Sequence, residues 1–191
     1  GKTSLSIKIN EILNKKNIKS CFIKKFYKNQ IDEQRLLGSR GKLFLSPKRL
    51  DALNKATSEN YEVAILDDGL QDFSLDYDLE IVFFKKNILE INPKISIYIG
   101  KYMPINLDEF DKRSRYLAFS GIGNHQTFIS MLQNYGLDIS KNLEFPDHYI
   151  YSAEDINKIL KLSDEMNYKI ITTEKDFLRL DDKNKNKIKY I

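Results

Sequence analysis

The feature that most constrains the fold is an apolar stretch at residues 61–66 that ends in three turn residues, Asp67, Asp68 and Gly69. A short apolar run bounded by turn residues predicts a parallel strand that is buried on both faces. Parallel strands need crossover connections, and helical patterns alternate with strand patterns along the chain. We therefore predict an α/β fold with a mainly parallel sheet flanked by helices.

The order of these patterns also predicts two lobes. Residues 104–108 are polar and rich in turn residues, and a second series of strands and helices follows them. We predict a larger lobe at residues 1–103, a hinge at 104–112 and a smaller α/β lobe at 113–191. Helices are predicted at 3–16, 47–59, 126–135 and 153–166, and strands at 20–26, 43–45, 61–66, 79–84, 95–99, 115–119 and 168–172, with a last strand beginning at 187–191.

Composition limits the classes of partner. The 31 basic and 27 acidic residues give a formal charge of +4, which suits an anionic ligand, but they form no concentrated basic stripe that would predict nucleic-acid binding. The single cysteine, Cys21, excludes an internal disulfide, and its apolar neighbours predict that it is buried. Because no apolar run reaches about 18 residues, the sequence predicts no membrane-spanning helix.

The chain opens with Gly1, Lys2 and Thr3 directly before a helical pattern. This is the second half of the phosphate-loop pattern GxxxxGK[ST], in which the glycine lets the backbone approach phosphate, the lysine binds the β and γ phosphates, and the hydroxyl binds Mg²⁺. So short a motif is equally typical of a chance loop lysine. If it is a phosphate loop, its first half precedes Gly1, and Gly1, Lys2, Thr3 and Ser4 are the nucleotide-binding residues.

Asp67 and Asp68 strengthen the phosphate-loop interpretation. A P-loop enzyme places its Mg²⁺-binding carboxylate at the carboxyl end of a strand, and ligands of open α/β sheets lie at that edge. The alternative is an acidic turn without a function. The order along the chain, phosphate loop first and strand-borne acid later, fits a P-loop nucleotide-binding site.

The two histidines have different surroundings. His148 follows Asp147 in a loop, where an aspartate could orient the ring, so it is a candidate catalytic residue. A structural or solvated histidine fits the same pattern. His125 has no such neighbour and is predicted to have a surface or loop role.

Five stretches together resemble the tetraacyldisaccharide 4'-kinase family, the lipid A 4'-kinases of Gram-negative bacteria. They are GKT at residues 1–3, LDDGLQ at 66–71, AFSGIGN at 118–124, FPDH at 145–148 and TTEKD at 172–176. They occur in the family's order and span nearly the whole chain. Asp32 and Glu33 also resemble the family's acidic motif between the first two stretches.

The resemblance implies a P-loop NTPase-like kinase that transfers the γ-phosphoryl group of ATP, with Mg²⁺, to the 4'-hydroxyl of an acylated disaccharide 1-phosphate in lipid A biosynthesis. It implies two lobes that close on ATP and a peripheral position on the cytoplasmic side of the inner membrane. On the nucleotide side, it assigns Lys2 to the ATP phosphates, Thr3 and Asp68 to Mg²⁺, and Asp67 to the catalytic centre beside them.

On the acceptor side, the resemblance assigns Asp32 as the base that accepts the hydroxyl proton and His148 as its partner from the second lobe. Gln71 and Arg49 match positions near the phosphate and sugar of the substrate, Arg49 by spacing alone. A base that is completed only when the lobes close would limit wasteful hydrolysis of ATP.

The chain also departs from the family pattern. Asp72 stands where the family has histidine, His125 where it has proline, and the turn Arg-Gly-Tyr-Gly before Asp32 is absent. An arginine-bearing segment expected after residue 84 is missing as well. Two alternatives therefore stay open: a nucleotide-binding module of the same fold without kinase activity, and a P-loop kinase for a soluble small molecule.

Overall fold

The structure is a computed structural model, and it describes residues 2–28, 30–72, 74–82, 96, 98, 100 and 102–191. The side chain of Gln71 is not among the described parts. The chain divides into two compact units, at residues 1–99 and 100–191. Residues 104–112 fall within the second unit, and their role as a hinge stays a prediction. No helix in the described part of the chain is both long and apolar enough to span a bilayer.

The first unit is a three-stranded parallel sheet whose strands are joined through helices. Its elements are α1 (Lys2–Lys15), β1 (Ser20–Lys25), α2 (Ile31–Arg40), β2 (Leu43–Ser46), α3 (Arg49–Ser58) and β3 (Val63–Leu66). The strand order is β2-β1-β3, and Phe22 of β1 is in register with Leu43 on one side and Ile65 on the other. The predicted parallel α/β arrangement is therefore confirmed.

The core of this unit lies along β1. Cys21 and Ile23 are fully buried and pack with Phe44 of β2 and with Ala52 and Ala56 of α3. Burial raises the pKa of the Cys21 thiol to about 11, so the thiol is protonated near neutral pH and is a poor nucleophile. The prediction that Cys21 is a buried structural residue is confirmed.

β3 differs from its prediction as a strand buried on both faces. All four of its residues are only half-buried, whereas five of the six residues of β1 are buried. Within the described residues β3 lies at the edge of the sheet and pairs with β1 alone. The apolar composition of residues 63–66 predicted the strand correctly but could not distinguish an edge from a central position.

Two further predicted strands find no support in the described residues. Residues 79–82 form no strand, and Leu79 is 77% exposed. No described strand pairs with them, and an apolar pattern without a hydrogen-bonding neighbour does not make a strand. Residues 83–84, and residues 95, 97 and 99 of the strand predicted at 95–99, lie outside the described residues.

The second unit is a four-stranded parallel sheet with the order β5-β4-β6-β7. Its elements are β4 (Arg115–Ser120), α4 (His125–Asn134), β5 (Asp138–Glu144), α5 (Ala153–Met166), β6 (Lys169–Thr172), α6 (Glu174–Phe177), α7 (Asp182–Lys185) and β7 (Ile188–Tyr190). Side chains of β4 alternate between two core clusters, with Tyr116 and Ala118 in one and Leu117 and Phe119 in the other. β4 is therefore buried on both faces.

β5 was not predicted from the sequence. Its residues are mostly polar and exposed, and only Ile139 and Leu143 are half-buried. The strand forms because it pairs with β4, from Arg115 opposite Asp138 to Ser120 opposite Glu144, with one register shift between Tyr116 and Leu117. A polar edge strand of this kind takes its stability from backbone pairing, which leaves little trace in composition.

α5 begins at a capping box formed by Ser152 and Asp155. The Ser152 hydroxyl accepts a hydrogen bond from the Asp155 backbone N–H at 3.1 Å, and the Asp155 carboxylate accepts one from the Ser152 backbone N–H at 2.9 Å. We expect Ser152→Ala to lower the free energy of unfolding by about 1 kcal/mol, because one helix-terminal N–H loses its partner. Chemical denaturation measures this against Ser140→Ala, on the exposed face of β5, and equal effects of the two changes would contradict it.

Candidate active site

The carboxyl edge of the first sheet collects polar side chains from three elements. Since β1 and β3 are parallel, both end at this edge, and Asp67 follows β3 directly. The start of α1 reaches the same place. The Thr3 hydroxyl donates to Asp67 Oδ2 and the Ser6 hydroxyl to Asp67 Oδ1, each at 3.3 Å. The sheet edge and the α1 N-terminus thus form one site around Asp67, which is 2% exposed.

Lys24 of β1 supplies a buried positive charge to this site. Its ammonium donates to Asp67 Oδ2 at 2.9 Å and to Glu33 Oε2 at 2.8 Å, and its side chain is 2% exposed. Burial lowers the pKa of Lys24, but the charges and hydrogen bonds of Asp67 and Glu33 outweigh it, so the pKa lies above the usual value of a lysine. Lys24 therefore stays charged and links the end of β3 to the start of α2.

Asp68 turns the chain after the strand. Its φ of 61° lies in the left-handed region, which aspartate tolerates better than most residues. Its carboxylate accepts a hydrogen bond from Lys2, whose side chain is 60% exposed. Its backbone carbonyl accepts one from Arg49 Nη2 at 2.8 Å. The two neighbouring carboxylates thus have separate partners, Asp67 inside the fold and Asp68 at its surface.

The turn that carries these aspartates is held tightly from within the first unit. A Cβ at Gly69 would lie 2.8 Å from Leu66 Cβ, so a larger residue would displace the turn. The Tyr77 hydroxyl contacts the carbonyl oxygens of Gly69 at 2.8 Å and Asp72 at 3.1 Å. These contacts fix the geometry of the Asp67 and Asp68 positions.

The oxygen atoms at this site fit Mg²⁺. The cation prefers hard oxygen ligands and binds through one or two carboxylates together with phosphate oxygens. The Thr3 hydroxyl already lies beside Asp67 Oδ2, and Asp68 is the next residue along the chain. The sequence resemblance assigned Thr3 and Asp68 as metal ligands, but in the structure the carboxylate next to Thr3 is that of Asp67.

Other predicted site residues of the first unit occupy varied positions. Asp32 lies in the first turn of α2 and is 4% exposed, next to Glu33, which contacts Lys24. Ser4 is exposed on α1. Arg49 is 4% exposed and lies 3.7 Å from Asp72 as well as contacting Asp68, so it is built into the turn. Gly1 and the side chain of Gln71 lie outside the described residues.

In the second unit, Gly121 joins the loop of His148 to the end of β4. The Gly121 carbonyl accepts a hydrogen bond from the His148 backbone N–H at 3.0 Å. A Cβ at Gly121 would lie 2.9 Å from the Pro146 carbonyl oxygen, so the two segments touch only because this residue is glycine. Two of the stretches that suggested the family, at residues 118–124 and 145–148, are therefore packed together.

His148 has a constrained backbone and two charged neighbours. Its φ is 59°, its Nδ1 lies 3.4 Å from Arg179 Nη2, and its Nε2 lies 3.9 Å from Asp147 Oδ1. The side chain is 29% exposed, so the ring is accessible. A non-glycine residue held in the left-handed region within a well-packed loop is a common feature of functional sites.

The surface role predicted for His125 is wrong. The residue is 2% exposed, its Nδ1 lies 2.7 Å from the Ser120 hydroxyl, and its Nε2 lies 3.1 Å from Asn142 Oδ1. Both ring nitrogens therefore have partners inside the unit. The sequence pattern did not indicate this burial, because the partner residue Asn142 belongs to β5, which was not predicted.

Four residues of these two sites were missed from the sequence: Ser6, Lys24, Asp176 and Arg179. A lysine inside the apolar run of β1 was a usable signal for Lys24, because a buried lysine needs a carboxylate partner. Ser6 lies three residues after Thr3, on the same face of a helix. Asp176 belongs to the stretch at 172–176, for which no role was assigned, and Arg179 carried no signal.

Comparison with known proteins identifies the family. The family model described as tetraacyldisaccharide-1-P 4'-kinase (LpxK) matches residues 24–95 and 99–191. The chain belongs to the tetraacyldisaccharide 4'-kinase family. A tetraacyldisaccharide 4'-kinase of Pelagibacter ubique is 49% identical over all of this chain and 74% of its own length. A tetraacyldisaccharide 4'-kinase of Rickettsia akari is 36% identical over 86% of this chain and 46% of its own length.

A solved structure of the family shows the same fold. The chain is similar to the crystal structure of LpxK from Aquifex aeolicus in complex with ATP, with a TM-score of 0.61 and 20% identity over 98% of this chain and 77% of that one. The fold predicted from the resemblance is thereby confirmed. The alignment with the Pelagibacter tetraacyldisaccharide 4'-kinase spans 233 positions against 191 residues here, so that kinase contains residues that this chain lacks.

Proposed function

We propose that the chain is an ATP-dependent kinase that phosphorylates the 4'-hydroxyl of a tetraacyldisaccharide 1-phosphate in lipid A biosynthesis. The observation that carries this proposal is the meeting of Lys2 and Thr3, at the start of α1, with Asp68 and Asp67, at the end of β3. A lysine, a hydroxyl and two carboxylates at the carboxyl edge of a parallel sheet are what phosphoryl transfer needs. Membership of the family supports the choice of acceptor.

The start of α1 supports binding of the ATP phosphates. The N–H groups and the partial positive charge at a helix N-terminus favour an anion, and the exposed ammonium of Lys2 adds a full charge. Thr3 would hold Mg²⁺ together with Asp67 and Asp68. Bound there, Mg²⁺ would supply neutralisation of the charge on the phosphoryl group.

Asp32 is the proposed base on the acceptor side. It lies in the first turn of α2, where the helix dipole stabilises a carboxylate, and the adjacent Glu33 anchors this turn to Lys24. The Glu33–Lys24–Asp67 chain of ion pairs therefore ties the base to the carboxylate beside Thr3. The pairing of His148 with Asp32 and the contact of Gln71 with the substrate stay predictions from the resemblance.

The role proposed for Arg49 changes with its position. Since Arg49 is buried and holds the Asp68 carbonyl, its support for the reaction comes through the turn at Asp68. A direct contact with the sugar or phosphate of the substrate stays a prediction.

The acyl chains of the substrate require a bilayer close to the site. We place the chain peripherally on the cytoplasmic side of the inner membrane, where ATP is present. Support for this position comes from the chemistry of the acceptor, since a tetraacylated disaccharide remains anchored in lipid through its hydrocarbon chains.

A lysine exchange on α1 tests the proposed function. We expect Lys2→Met to lower kcat/KM for lipid phosphorylation by about 10²–10³-fold, because one charge on the transferred phosphoryl group loses its counterion. Lys8→Met is the matched control, since Lys8 lies on the same helix, is 61% exposed and pairs only with Glu11 among the contacts described. Equal activity of the two variants, measured as ADP release with lipid acceptor, would remove the α1 N-terminus from the mechanism.

A further inference from the structure

A buried carboxylate organises the region around His148. Asp176 is fully buried, and its Oδ1 accepts hydrogen bonds from the Gly121 backbone N–H at 3.0 Å and the Tyr151 hydroxyl at 2.8 Å. Its Oδ2 lies 2.6 Å from the Thr173 hydroxyl. Burial, together with the charge of Asp176, raises the pKa of the Tyr151 phenol, which therefore remains a donor. So many partners hold the carboxylate in one orientation.

Arg179 extends this anchored group to the imidazole. Its Nη1 donates to Asp176 Oδ1 at 2.7 Å and to the Gly121 carbonyl at 2.9 Å, and its side chain is 9% exposed. Because the guanidinium is planar and rigid, these two bonds also fix Nη2, which lies 3.4 Å from His148 Nδ1. The Gly121 carbonyl additionally accepts from the His148 backbone N–H, so backbone and ring are located by the same group.

The chemistry of this contact selects one form of the neutral imidazole. A guanidinium has only donors, so a ring nitrogen bonded to it must accept and cannot carry a proton. We infer that Arg179 is a positioning residue that holds neutral His148 with its proton on Nε2. The inference rests on the proposed function for its catalytic meaning, since Nε2–H is then the group of His148 that donates to a carboxylate base.

The sequence suggested Asp147, not Arg179, as the residue that orients the His148 ring. Asp147 Oδ1 lies 3.9 Å from Nε2, too far for a hydrogen bond, and its side chain is 53% exposed. Arg179 is bound to a fully buried carboxylate and reaches the other ring nitrogen. The fixed partner of the ring is therefore the arginine.

The ¹⁵N chemical shifts of the imidazole rings test the inference without any kinase activity. The chain has two histidines, and His125, bonded to Ser120 and Asn142, is an internal reference. At a pH where both rings are neutral, we expect the Nδ1 and Nε2 shifts of His148 to be widely separated, as in a single Nε2–H form. In Arg179→Met they should converge as both tautomers become populated, while the shifts of His125 stay in place. Unchanged His148 shifts would overturn the inference.

A second variant, Arg179→Lys, keeps the test valid if Arg179→Met does not fold. Arg179→Lys keeps a cation for Asp176, but its single ammonium cannot hold Asp176, the Gly121 carbonyl and the imidazole in one plane. We expect the His148 shifts to converge in this variant too, with a kcat about 10–100-fold lower and an unchanged KM for ATP. Converged shifts with a wild-type kcat would show that Arg179 selects the tautomer but has no positioning role in catalysis, which would refute that role. An inactive wild type with separated shifts would instead count against the proposed function.

Discussion

Lys24→Met should lower the free energy of unfolding by about 3–5 kcal/mol, the range for breaking a buried ion pair by removal of one partner. The ammonium lies between Asp67 and Glu33, within 2.9 Å of each, and both it and Asp67 are 2% exposed. Methionine fills a similar volume but removes the buried positive charge that contacts both carboxylates. The loss is therefore electrostatic and arises from desolvated charge, not from a cavity.

Urea denaturation measures this effect, and Lys25→Met provides the control. Lys25 is the next residue of β1 and is only half-buried, and its Nζ lies 5.7 Å from the centroid of the Tyr27 ring. Its replacement should cost less than about 1 kcal/mol, because an exposed cation–π contact is weak. If the two lysine variants are equally stable, the buried ion network does not hold the site together.

Asp32→Asn should lower kcat by about 10²–10⁴-fold, the usual contribution of general acid–base catalysis. The exchange keeps the shape of a buried side chain in the first turn of α2 and removes its capacity to accept a proton from the acceptor hydroxyl. Stability should change little, because the Glu33–Lys24–Asp67 ion pairs that anchor this turn remain.

Asp51→Asn is the matched control for Asp32→Asn. Asp51 also lies in the first turn of a helix, α3, but it is exposed. Its exchange should leave kcat unchanged. Steady-state rates with saturating ATP and lipid, together with a denaturation curve for each variant, separate catalysis from folding. Full activity of Asp32→Asn would remove this carboxylate from the mechanism.

The sequence predicted those elements whose apolar pattern follows their burial. β1, β4 and α5 were found within one or two residues of their observed ends, because the two strands carry a strong apolar pattern and α5 an N-cap serine. The strand β5 was missed because pairing with β4, a long-range backbone interaction, creates it. The same cause explains the wrong position of His125, whose partner Asn142 lies on β5.

The candidate-site residues that belong to short sequence motifs were predictable from the sequence. Lys2, Thr3, Asp67 and Asp68 were chosen from motifs, and the structure brings them together. The left-handed turn at Asp68 decides which of the two carboxylates faces Thr3. Two consecutive aspartates in a sequence do not predict that turn geometry. The roles of Lys24 and Arg179 depend on partners 43 and 31 residues away, Asp67 and His148.

The central claim is the transfer of phosphate from ATP to the 4'-hydroxyl of the lipid acceptor. The direct measurement incubates the purified protein with Mg-ATP and tetraacyldisaccharide 1-phosphate in mixed micelles and follows the lipid by ³¹P NMR and mass spectrometry. We predict one new phosphate monoester at the 4' position, formed together with one ADP, and formed about 10²–10³-fold more slowly by Lys2→Met at subsaturating substrate. A protein that binds ATP but leaves this lipid unmodified, or that phosphorylates a soluble sugar in its place, would contradict the account.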